Sequence, residues 1–148
     1  NSSSLNDGAA AMVLISREEA DRRGLEPRAR LIAYAFAGVA PEMMGLGPIP
    51  AVRRVLADTG LQVSDFDVIE SNEAFAAQAI VVARELGLDE AKVNPNGGAV
   101  ALGHPVGATG SIIIIKALAE LERIDGRFGL VTMCIGGGQG IALVLERL

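Results

Sequence analysis

The chain has one cysteine, one histidine and no tryptophan in 148 residues. A lone Cys134 forms no internal disulfide, which fits a reducing, cytoplasmic setting. One His and one Cys do not make a structural zinc site, so no metal is expected. Aromatic residues are 3% of the chain, too few for the stacking platforms that hold single-stranded nucleic acid. A net charge of −5 lacks the clustered Lys and Arg that phosphates demand, so nucleic acid is not the expected partner. No apolar run reaches the ~18 residues of a membrane span. The longest stretches, around residues 74–83 and 112–115, are interrupted by Gln78 and Lys116.

Half of the residues are hydrophobic and 21% are charged, the balance of a folded domain with a real core rather than a disordered segment. The 18 glycines gather in a few loops. The chain opens at Asn1 in loop-like sequence (NSSSLNDG), which suggests a piece of something longer.

Residues 9–15 form a short apolar run that reads as a buried strand, with helix as the alternative. Ser16-Arg-Glu-Glu19 has the form of a capping box and Gly24 a helix stop, giving a short helix over 17–23. Residues 30–38 read as a strand, 40–50 as a loop, and 51–59 as a helix with Pro50 at its start and Gly60 at its stop. A strand follows over 66–71. Asn72 is placed to cap a helix over 73–86, stopped by Gly87. Residues 94–110 read as a long glycine-rich loop, 111–123 as a helix, and 129–134 and 141–145 as strands joined by a tight turn. Helices alternating with strands predict an α/β fold with a mostly parallel sheet and an antiparallel last pair. For the C-terminal part of the chain the expectation is a five-stranded mixed sheet flanked by helices. The helices around 74–83 and 111–118 are apolar nearly all round, so each is expected to have protein on both sides.

Three reactive or polar residues follow strand-like segments: Asn72, His104 and Cys134. Ligands of open α/β sheets sit outside the carboxyl ends of the strands, so the three are placed to converge. His104 lies in Gly97-Gly-Ala-Val-Ala-Leu-Gly-His-Pro-Val-Gly-Ala-Thr-Gly110. It is either a loop histidine bonded to backbone or a working imidazole, and the dense glycines favour function because they let backbone approach a ligand closely. Cys134 is either a small buried hydrophobe or a thiol beside an anion-binding nest of backbone N–H groups at Gly136-Gly-Gly138, which would favour its thiolate. Asn72 has helix capping as its plain alternative, and Glu73 reads as a first-turn acid. Met43 and Met44 either line an adaptable pocket or fill core. No dinucleotide or NTPase phosphate loop is present.

Five motifs, Asn6-Asp-Gly-Ala-Ala10, Met44-Gly-Leu-Gly-Pro-Ile-Pro50, Asn72-Glu-Ala-Phe-Ala76, Gly97-Gly-Ala…Gly103-His-Pro-Val-Gly107 and Cys134-Ile-Gly-Gly-Gly138, occur in order. Together they resemble the thiolase family, acetyl-CoA acetyltransferases and 3-ketoacyl-CoA thiolases, over the whole chain. Ketoacyl synthases resemble it less, because they carry His where Cys134 stands. The resemblance implies a thiolase-like fold of two stacked halves. Residues 1–25 would end the N-terminal half and 26–148 would form the C-terminal domain. It implies cleavage of 3-ketoacyl-CoA by CoA, or the reverse Claisen condensation, with CoA and acyl-CoA as substrates and no bound cofactor.

By the same resemblance, His104 activates the nucleophilic cysteine and contributes to an oxyanion hole, and Cys134 moves the α-proton as general acid/base. Asn72 holds a water that donates to the thioester oxygen, and the Gly136 N–H serves a second oxyanion hole. Ser3, Met44 and Phe75 match positions near the pantetheine arm. The family's nucleophilic cysteine is absent from these residues, and Ser4 stands where the family usually has Gly. The implied partners are the N-terminal half and further copies in a homodimer or homotetramer. The alternatives are a non-catalytic acyl-CoA-binding module and a ketoacyl-synthase-like condensing enzyme.

Overall fold

The computed structural model describes residues 1–148. After a leading segment, helix α1 (Arg17–Arg23) precedes strand β1 (Ala29–Gly38), a 3-10 turn (Pro41–Leu46), α2 (Pro48–Thr59), β2 (Val68–Ser71) and α3 (Ala76–Leu86). Then come a one-turn helix α4 (Ala99–Leu102), α5 (Thr109–Ile124) and the hairpin β3 (Phe128–Ile135) and β4 (Gln139–Arg147). Local chemistry sets most of these boundaries. The Ser16 hydroxyl accepts from Glu19 N–H at 3.2 Å, and α1, α2 and α3 stop at Gly24, Gly60 and Gly87.

The sheet has four strands in the order β1-β4-β3-β2. It is α/β and mixed, but not five-stranded. Residues 9–15 form no strand: Val13 and Leu14 are exposed, and the segment meets no sheet edge in this chain. Next to β2, in the position of a fifth strand, stands only a single parallel bridge, Ile69 to Val93. Of the strand pairs, only β2 with β3 is parallel; β4 lies antiparallel between β1 and β3. The sheet is therefore less parallel in its pairing than helix–strand alternation suggests, because the last hairpin inserts β4 into the middle.

Strand alternation divides the core into two. On one face Ile69, Leu130, Ala142 and Val144 pack with Val52 and Val55 of α2 and with Phe66. On the other, Val68, Val131 and Leu145 pack with Ile113, Ala117 and Leu121 of α5. The result is a helix–sheet–helix sandwich.

The 40–50 segment is more regular than a loop. Its 3-10 turn leads directly into α2, which begins at Pro48. Gly47 and Gly140 pack backbone against backbone here: a Cβ on Gly140 would lie 2.1 Å from the Gly47 carbonyl carbon and oxygen. This holds the turn against β4, directly opposite Cys134, which pairs with Gly140 across the hairpin. The two apolar helices are covered on one side only. Ile80 and Val81 of α3 and Ile115 of α5 are exposed. No helix is long and apolar enough to cross a membrane.

Candidate functional site

The C-terminal ends of the neighbouring parallel strands β2 and β3 place Asn72 and Cys134 at one edge of the sheet. Asn72 extends the pairing, its N–H donating to Thr132 O at 2.9 Å. It does not cap α3. That helix starts three residues later than expected, with Phe75 at the N-cap position. Tertiary contacts hold residues 72–75 out of the helix instead: Ser3 N–H donates to Ala74 O (3.1 Å) and Ala76 N–H to Asn1 O (3.0 Å). The Asn72 carboxamide is thereby released from helix capping.

Two side chains lock this corner. Asn94 behaves as a peptide group, its Oδ1 accepting from Ser71 N–H and its Nδ2 donating to Ser71 O, both at 2.9 Å. The same Nδ2 donates to Glu73 Oε1 at 3.1 Å. Glu73, read from the sequence as a first-turn acid of α3, instead accepts from Val100 N–H at 3.0 Å and caps α4.

His104 follows Gly103, whose φ of +95° and contact with Asn6 exclude a side chain: a Cβ there would lie 2.1 Å from Asn6 Oδ1. The His104 N–H donates to Ser4 O (3.0 Å) and Asn6 Oδ1 (3.2 Å), so the leading segment fixes the backbone of the imidazole. The ring is fixed by Thr109. Its hydroxyl donates to Pro105 O at 3.0 Å and lies 2.6 Å from Nδ1. With that hydroxyl proton used, Nδ1 carries its own proton and donates to Thr109 Oγ1, which leaves Nε2 a free lone pair. Nε2 lies 3.5 Å from Asn72 Nδ2, a contact at the outer limit of a hydrogen bond.

Cys134 is buried, and burial pushes its thiol upward from the usual range. This corrects the expectation of a favoured thiolate: no cation faces the sulfur, and desolvation outweighs the backbone donor. Burial also lowers the His104 pKa, which favours the neutral imidazole. The Cys134 thiol makes no hydrogen bond to His104 or Asn72. Gly136 lies just beyond in the hairpin turn, with open space around it.

Ser3 and Phe75 come together, since Ser2 pairs with Phe75 and Ser3 Oγ donates to Ala74 O at 3.2 Å. Phe75 is half exposed. Met44, partly buried, lies in the 3-10 turn that packs on α3. Sequence reasoning missed Thr109, Asn94 and Asn6. Each acts through a contact distant in sequence or buried in a loop. The only signal was a polar residue beside a glycine loop.

The chain matches the family described as "Thiolase, C-terminal domain" over residues 25–147. It is 64% identical over 148 residues to a beta-ketothiolase of Cupriavidus necator, covering 100% of this chain and 38% of that protein. It is 59% identical over 150 residues to a 3-oxoadipyl-CoA/3-oxo-5,6-dehydrosuberyl-CoA thiolase of Escherichia coli, again covering 100% of this chain and 37% of the relative. The crystal structure of the Bacillus anthracis acetyl-CoA acetyltransferase superposes with a TM-score of 0.98 at 49% identity, covering 100% of this chain and 38% of that one. The chain thus spans well under half the length of these relatives. With the helix–sheet–helix sandwich, the strand-end site and a family match across most of its residues, the chain belongs to the thiolase family and has a thiolase-like fold.

Proposed function

We propose that these residues are the C-terminal part of an enzyme that cleaves 3-ketoacyl-CoA with CoA, or runs the reverse Claisen condensation. Residues 1–25 close the N-terminal half and 26–148 form the C-terminal domain. The observation that carries the reading is His104, held by Thr109 with its Nε2 facing Asn72, which continues β2 alongside β3, the strand that carries Cys134.

In this reading the reacting nucleophile, a cysteine outside these residues, gives its proton to His104 Nε2. As the carbon–carbon bond breaks, the acyl group stays on that cysteine and the other fragment leaves as an enolate. Cys134 is protonated, since burial raises its pKa, and so it delivers a proton to the enolate carbon. The Cys134 thiolate then regains a proton from the incoming CoA thiol, whose sulfur takes the acyl group, and the departing cysteine thiolate recovers its proton from His104 Nε2. Asn72 holds a water against the thioester oxygen, and the Gly136 N–H faces the acyl-enzyme carbonyl. Loss of one such donor costs about 100- to 1,000-fold in rate. Ser3, Met44 and Phe75 flank the pantetheine arm. The protein is cytoplasmic and forms a homodimer or homotetramer.

The test compares the longest natural chain containing these residues with the 148 residues alone, using acetoacetyl-CoA and CoA. The former turns over and the latter does not. Robust thiolysis by the 148 residues alone would overturn the role given to the outside nucleophile.

A further inference from the structure

Behind the His104–Asn72 contact lies a cavity of about 240 Å³, walled in part by Glu70, Asn72, Asn94, Gly98, Thr109 and Lys116. Glu70, in the middle of β2, is 0% exposed and Asn72 is 3% exposed. Each has one oxygen with no partner, Glu70 Oε1 and Asn72 Oδ1. The other Glu70 oxygen accepts from Lys116 Nζ of α5 at 2.9 Å. The same ammonium donates to Gly97 O at 2.5 Å. Gly97 opens the loop that runs through α4 to His104. One cation therefore ties strand, helix and loop together, beneath the side chains assigned to the reaction.

Stability alone does not call for this arrangement. A buried ion pair recovers its desolvation cost with difficulty, and an apolar pair of similar volume serves a core as well or better. Nor are two lone acceptors facing one cavity stable when dry. They need a molecule with two O–H donors, and the cavity is polar and roomy enough for water.

We infer that Lys116 and Glu70 are positioning residues for the reaction proposed above: Lys116 sets the Gly97 loop and so the His104 ring, while Glu70 shares with Asn72 an ordered water that orients the carboxamide. The kinetic consequence rests on the thiolase reading; the geometric one does not.

The experiment uses the longest natural chain containing these residues, with Lys116→Met and the double variant Glu70→Gln/Lys116→Met. The single variant leaves a buried carboxylate unpaired and is the one prone to unfold. The double variant removes both charges and keeps its thermal midpoint within about 4 °C of wild type. Its kcat nonetheless falls about 10- to 100-fold with little change in KM, because a misplaced ring costs rate rather than binding. Recovery of kcat along with stability would overturn the inference. Crystal structures supply a readout that needs no activity. The wild type shows a water between Glu70 Oε1 and Asn72 Oδ1, and the double variant shows the Gly97 loop and the His104 ring displaced. A dry wild-type cavity or an unmoved ring refutes the positioning role. Absence of thiolysis by the wild type would sink the functional reading alone, and the crystal structures still decide this one.

Discussion

Thr109→Val removes one hydroxyl from the site and leaves its volume nearly unchanged. Thr109 is 3% exposed, and its Oγ1 makes two contacts: 2.6 Å to His104 Nδ1 and 3.0 Å to Pro105 O. The Pro105 carbonyl also accepts from Ala108 N–H (2.8 Å) and Thr109 N–H (2.9 Å), so it stays satisfied in the variant. The His104 Nδ1–H does not, and an unpaired, partly buried donor costs about 1–3 kcal/mol. With a urea m-value of about 1–3 kcal/mol/M, the unfolding midpoint falls by roughly 1 M. Thr109→Ser is the control. It keeps the hydroxyl and loses one methyl, worth about 0.8 kcal/mol.

Thr109→Ser is therefore the milder change in stability, and the two variants stand much further apart in function than in stability. In the longest natural chain, Thr109→Val loses about 100-fold in kcat as the imidazole rotates away, because misplacement by about 1 Å costs that much. Thr109→Ser stays within a few-fold of wild type. Urea titration followed by circular dichroism gives the first quantity and acetoacetyl-CoA thiolysis the second. Equal kcat in the two variants would refute the claim that this hydroxyl sets the ring.

Cys134→Ala and His104→Ala each lose at least about 100-fold in kcat in the full protein; turnover near wild type in either removes that residue from the mechanism. Gly140→Ala pushes a Cβ into the Gly47 backbone and costs about 1–3 kcal/mol or more. Gly136→Ala meets open space and changes stability by less than about 0.5 kcal/mol, so equal urea midpoints for the two would contradict the packing argument. Hydrogen bonds from Arg123 and Asn96 hold Glu120 down to about 2, against an ordinary value of 4.5. Its contribution to stability is present above pH 4.5 and is lost as pH falls through about 2. Glu120→Gln therefore destabilises most at neutral pH and progressively less in acid, and a difference from wild type that does not vary with pH excludes the pairing.

Local chemistry was legible in the sequence. Ser16, Gly24, Gly60 and Gly87 mark real helix ends because caps and left-handed turns involve a few adjacent residues. Strands β1, β3 and β4 were found where glycine borders an apolar run, and Asn72, His104 and Cys134 stood out as polar breaks after such runs. Tertiary structure decided what those residues do. Residues 9–15 have strand-like composition, yet a strand exists only where an edge accepts its hydrogen bonds, and this sheet offers them none. Asn72 has the chemistry of a helix cap, but its own bond to Thr132 and the bonds of residues 74 and 76 to Ser3 and Asn1 delay the helix, and its side chain meets His104 instead. The glycines after Cys134 suggested a thiolate, and burial reversed the sign. Lys116 and Glu70 lie 46 residues apart and meet only because α5 crosses behind β2. Propensity and capping act within a turn of chain, and so the sequence states them directly. Strand order, burial and pKa depend on what arrives from elsewhere, which only the folded chain determines.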